Sequence, residues 1–164
     1  MTYIALVRTK DFIAVAADSS VVDQNDIPLS NSLKIVPTGK FFCIPNKLAG
    51  DVRTGYDIWQ IVRDIGPQES LDGLVKTLKK VVPQPLANTL ALISANPQTF
   101  KQKFPNGQVL GLAVIGIENG VLCLVDLRFF VVILSGTTVG LNIEEKRCPG
   151  KDCSADVDDD SCRR

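Results

Sequence analysis

Thr2-Tyr3-Ile4-Ala5-Leu6-Val7-Arg8, followed after Thr9-Lys10-Asp11 by Phe12-Ile13-Ala14-Val15-Ala16-Ala17-Asp18, is the stretch on which the reading of the fold turns. Both halves are short and rich in β-branched, aromatic and alanine residues. The polar triplet between them fits a hairpin loop. Phe12 to Ala17 carries apolar side chains on both faces, which predicts a strand buried from both sides. A loop at 9–11 sets Arg8 opposite Phe12, and the same register sets Thr2 opposite Asp18. Directly opposed residues hold their Cβ atoms about 4.5–5.5 Å apart, so a carboxylate is expected beside residue 2.

Outward from this hairpin the chain gives strand signals, then helix signals, then strand signals again. Asp23 to Asn31 is polar, contains Pro28 and reads as a loop. Leu33 to Val36 and Lys40 to Ile44 read as strands joined by the turn Pro37-Thr38-Gly39. Asp51 to Ile65 reads as a helix, with Ile58, Ile61, Val62 and Ile65 at helical spacing and Gly66-Pro67 as its stop. Ser70 is a good N-cap for a second helix whose Leu71, Leu74, Val75 and Leu78 share one face. Pro83 and Pro85 break or kink it, and Leu86 to Ala95 resumes as helix. Phe104-Pro105-Asn106-Gly107 is a turn. Val109 to Ile117 and Val121 to Leu127 form a hairpin around Glu118-Asn119-Gly120. Val131 to Leu134 is a further short strand.

Strands, then helices, then strands predict an α+β layered domain rather than a Rossmann alternation. Residues 1–140 are expected to form it, and residues 141–164 to be a polar tail, disordered from about Glu144.

Composition narrows the function. The chain has 164 residues, 45% hydrophobic and 22% charged, with zero net charge. That is enough for one core, and it argues against a dedicated nucleic-acid or anionic-membrane surface. The N-terminus, interrupted by Lys10, Asp11 and Asp18, does not read as a secretory signal. The longest apolar run is too short for a membrane helix, so a soluble cytoplasmic protein is expected. Of five cysteines, Cys43 and Cys123 sit in apolar strands and read as reduced core thiols. Cys148, Cys153 and Cys162 match no zinc spacing and read as incidental tail thiols. No metal or cofactor is expected.

The chain contains no histidine, which excludes every nucleophile–histidine pair. Loss of Met1 would give Thr2 a free α-amino group, with an unperturbed pKa of roughly 7.7–8.0. Hydroxyl nucleophile and base would then belong to one residue. Each candidate also has a plain structural role. Thr2 is a common second residue, Asp18 a common strand end, and Lys34 an ordinary exposed strand residue between apolar neighbours.

Thr2, the strand end Ala16-Ala17-Asp18-Ser19 and the Lys34-Ile35 pair together resemble the catalytic β-type subunits of the proteasome family and their bacterial HslV-type relatives, which are N-terminal-nucleophile hydrolases. The resemblance covers Thr2 to about Leu127 and is strongest over residues 2–35. It implies a four-layer αββα sandwich and a threonine-type peptidase. Thr2 would attack the scissile carbonyl and form an acyl-enzyme. Lys34 would lie beside it and tune local pKa values by its charge. Asp18 would hold Lys34 and the amine. Subunits would form homo- or hetero-oligomeric rings, with a peptide or unfolded protein as substrate and an ATPase as partner.

Two departures stand out. The family's oxyanion-hole glycine falls on Leu48, within Ile44-Pro45-Asn46-Lys47-Leu48-Ala49-Gly50-Asp51, where only a backbone N–H is needed. After Leu127 the chain is short and mostly polar, so the C-terminal part of the sandwich is expected to be incomplete. These departures support a second reading, a catalytically inactive structural or assembly subunit of a proteasome-like ring. A third is an N-terminal-nucleophile amidase acting on small amides.

Overall fold

The computed structural model describes residues 4–9, 11–17, 20–22, 28–31, 34–93, 97–135 and 138–150. Elements in chain order are β1 (Ile4–Arg8), β2 (Ile13–Ala17), β3 (Ser20–Val22), β4 (Pro28–Asn31), β5 (Val36–Thr38), β6 (Phe41–Lys47), β7 (Gly50–Asp51), β8 (Tyr56–Asp57), α1 (Ile58–Ile65), α2 (Leu71–Val81), α3 (Pro83–Ile93), α4 (Pro97–Lys103), β9 (Gln108–Glu118), β10 (Val121–Ser135) and β11 (Thr138–Cys148). The body is one antiparallel five-stranded sheet in the order β11-β10-β9-β6-β5. β1-β2, β3-β4 and β7-β8 are separate two-stranded ribbons.

The expected αββα four-layer sandwich is not what the chain forms. Among the described residues strand makes up 50% and helix 29%, and they contain one main sheet rather than two stacked ones. The physical reason lies in the strand lengths. β9 and β11 are long and each pairs along most of its length with the long central β10, so the segment expected as a polar tail extends the one sheet.

The core lies between one face of this sheet and the helices. Leu110, Leu112 and Val114 of β9 oppose Phe129, Leu127 and Val125 of β10, and all six are fully buried. Strand alternation puts these side chains on a single face, where they cluster with Ile58, Val62, Leu74, Leu78, Leu86 and Leu90 from the helices. The β9–β10 hairpin has the expected two-residue Asn119-Gly120 loop. Both residues take positive φ (52° and 76°), as such a turn requires.

Helix ends follow their caps. Asp57 accepts from the Gln60 N–H at 3.0 Å, so α1 begins at Ile58 and not near Asp51. The intervening residues form the β7–β8 ribbon and its turn. Gly66, at φ 68°, closes α1. Ser70 caps α2 as expected, accepting from Gly73 at 3.0 Å. Pro83 opens α3, since its missing N–H costs nothing in a first turn. Pro97–Lys103 forms α4, a short helix that the sequence pattern does not signal. Its Phe100 packs on Phe104 with ring centroids 5.2 Å apart.

The N-terminal ribbon differs from expectation in two ways. Arg8 opposes Ile13, not Phe12. The Thr9 hydroxyl accepts from the Asp11 and Phe12 N–H groups, and the Thr9 N–H donates to the Phe12 carbonyl at 2.8 Å. The loop therefore takes in Phe12 and the ladder moves by one residue. A one-residue slip transfers every side chain to a different partner. Secondly, β2 is not buried on both sides: Ile13, Val15 and Ala17 are half-buried while Ala14 and Ala16 are exposed.

The segment expected as a tail begins as strand. Residue 141 and Glu144 fall inside β11, which pairs with β10 from Val139 opposite Ile133 to Cys148 opposite Leu124. Charged side chains hold this strand to α2. Arg147 meets Asp72 at 2.5 Å, and Glu145 pairs with both Lys79 and Arg147. Cys148 is disulfide-bonded rather than an incidental thiol. No helix among the described residues is long and apolar enough to cross a membrane.

Candidate functional site

Of the sequence-predicted residues, Thr2 and Asp18 lie outside the described residues. Lys34 precedes β5 and is 2% exposed, so the exposed-strand reading fails for it. It is the one buried charged side chain among the described residues, and it does not lack a partner. A lysine this deep is rare unless its charge is compensated. The premise that set Thr2 against Asp18 also changes, because the described ladder of β1 and β2 runs one residue out of the expected register.

Downstream on the same edge of the sheet, Thr38 is buried and its hydroxyl donates to the Phe41 carbonyl at 3.3 Å. The Cys43 thiol is pushed up to about 12 by burial, with a hydrogen bond to Thr38 acting in the opposite direction. A thiol held there carries negligible thiolate at neutral pH and is no nucleophile.

Leu48 follows β6, and its N–H donates to the Val109 carbonyl at 3.0 Å. Ala49 accepts from the Ile58 N–H at 2.9 Å. The segment proposed to line an oxyanion hole is thus tied into the sheet and the start of α1. In this conformation the Leu48 N–H is engaged by the sheet. Lys47 takes positive φ (69°), and its ammonium donates to the Gln108 carbonyl at 3.4 Å. Burial lowers its pKa, helped by the nearby Arg128 guanidinium.

A cleft of about 590 Å³ lies elsewhere, between the turn before β8, the outer face of α1 and the start of α3. Asp57, Gln60 and Asp64 line one wall, Gln84 and Asn88 the other, and Tyr56, Ile61 and Pro85 contribute apolar surface. Its polar groups are mostly satisfied within each wall. Gln60 donates to Asp64 at 2.6 Å and Gln84 to Asn88 at 3.0 Å. The Tyr56 hydroxyl is buried without a hydrogen-bond partner, and burial raises its pKa. Sequence reading missed this cleft, although the three-, four- and seven-residue spacings of these side chains put each set on one helical face. No group of three or more metal-ligating side chains occurs among the described residues.

The chain matches no protein-family model and no curated protein.

Proposed function

We propose that the chain is a threonine-type hydrolase of peptide bonds, acting through Thr2 after loss of Met1. The observation that carries this reading is the burial of Lys34, the residue that the proteasome-like resemblance sets beside the nucleophile. A buried cation held near a hydroxyl favours its anionic form and lowers the pKa of a neighbouring amine. With no histidine in the chain, the threonine's own α-amino group is the base. Asp18 orients Lys34 and the amine, and a peptide or unfolded polypeptide is the substrate. Ring assembly and an ATPase that feeds it belong to the same proposal.

The test combines mass and activity. The purified protein should lack Met1 by intact mass and cleave fluorogenic peptide amides, with a rate that rises as the amine deprotonates below its ordinary range of roughly pH 7.7–8.0. Thr2→Ala should reduce cleavage to background, and Lys34→Met should lower the rate while Lys34→Arg retains part of it. A protein that loses Met1 and still cleaves nothing would sink the catalytic reading.

One observation favours a second reading, a non-catalytic ring or assembly subunit. The engaged Leu48 N–H leaves the tetrahedral intermediate without its expected donor. That reading expects assembly to be indifferent to Thr2→Ala.

A further inference from the structure

β11 is the outer strand of the main sheet, paired with β10 on one side only. Among the described residues, no backbone hydrogen bond leaves its other edge. Its charges divide between the two faces. Glu145 and Arg147 face the helices and are spent on Lys79, Asp72 and each other. Asn142, Glu144 and Lys146 point the opposite way and are exposed. Neither Glu144 nor Lys146 takes part in an ion pair among the described residues, although they stand on the same face of one strand.

We propose that two copies of this chain join through these edges, β11 against β11 in antiparallel register about a twofold axis at Glu145. A twofold perpendicular to the sheet keeps both helix layers on one side and pairs each residue with one of its own face. Centring it on Glu145 sets Glu144 of one copy against Lys146 of the other, twice by symmetry. Centring it on Glu144 or Lys146 instead opposes like charges directly. Cross-strand opposite charges stabilise a pair and like charges destabilise it, so of these three registers the one centred on Glu145 is favoured. The Glu145 carboxylates then face each other, but each already has Lys79 and Arg147 beside it. The paired segment runs from Asn142 to Cys148 and makes one continuous sheet of the two copies. This proposal stands independently of the hydrolase reading.

The experiment is sedimentation equilibrium of the full chain, without reductant, from about 1 µM to about 500 µM. A monomer–dimer equilibrium is expected. Glu144→Lys and Lys146→Glu should each weaken it by about tenfold, because each converts two attractive pairs into repulsive ones. The double variant Glu144→Lys/Lys146→Glu should return to within about threefold of the unsubstituted protein. Both side chains are exposed, so folding should persist, which circular dichroism checks. In the unsubstituted protein, amide exchange across Asn142 to Cys148 should slow as concentration rises. A monomer throughout the range overturns the proposal. So does an assembly indifferent to the single substitutions, or a double variant as weak as the singles.

Discussion

The helix-covered face of the main sheet and the N-terminal ribbon draw on the same kinds of residue and meet different fates. Leu110, Leu112 and Val114 on β9 are wholly buried. Val7 on β1 is 55% exposed and Phe12, beside β2, 53%. Both stretches are apolar, and both lie in antiparallel pairs. What separates them is the second layer. β9 lies under helices whose starts are fixed by Asp57 and Ser70 and whose apolar faces point inward. Neither face of the ribbon reaches full burial anywhere along β2. Apolar composition sets how much surface a strand is able to bury, and a packed partner decides whether it does.

The sharpest way to break this comparison is to truncate one side chain in each region. Leu112→Ala removes a fully buried residue opposite Leu127 and should cost about 3 kcal/mol in urea unfolding. Val7→Ala should cost under about 0.5 kcal/mol. Equal losses would mean that the ribbon is packed as tightly as the sheet, and the contrast would collapse.

A smaller effect probes how closely the sheet is packed at its own strands. A Cβ at Gly116 would lie 2.4 Å from Cδ1 of Phe41 and 2.9 Å from the Lys40 carbonyl oxygen. Phe41 is wholly buried and has little room to move. Gly116→Ala should therefore cost about 2 kcal/mol. Combining it with Phe41→Leu should cost less than the two changes separately, because the smaller side chain admits the methyl group. Strict additivity in thermal unfolding would show that the two sites do not touch.

Much of the helix-covered body was legible in the sequence, because there local and tertiary signals agree. Ser70 and its four apolar followers marked α2, and Asn119-Gly120 marked the β9–β10 turn. Other signals pointed elsewhere. The helical spacing from Ile58 onward is real, but the Asp51 carboxylate takes the Arg53 N–H within a turn while Asp57 caps the Gln60 N–H, so α1 starts later. The Thr9 hydrogen bonds draw Phe12 into the loop and so move the ladder on which the expected Thr2–Asp18 pairing rests. β11 escaped notice because Glu144-Glu145-Lys146-Arg147 reads as a solvated tail. As a strand, half of those charges are bound to α2, which no pattern within the segment announces. Lys34 shows the limit for the site: its apolar neighbours suggested an exposed strand residue, and only the tertiary structure shows it to be buried.

The least of these effects concerns the charges that fasten β11 to the helix layer. Burial pushes the Glu145 carboxyl up, but hydrogen bonds and charge from Lys79 and Arg147 outweigh it and hold the group below its ordinary 4.5. A folded-state pKa below the unfolded one contributes stability that is fully present above pH 4.5. That contribution is lost as pH falls through the folded value. The group is only partly shielded from water, so the contribution is on the order of half a kcal/mol. Glu145→Gln should therefore be less stable than the unsubstituted protein at pH 7, with the gap narrowing as both are taken toward pH 3. Urea midpoints at dilute protein, where edge pairing does not contribute, read this directly. A gap that stays constant down the acid limb would assign the role of Glu145 to packing. The attachment of β11 would then resemble that of β9, held by shape and apolar contact rather than by charge.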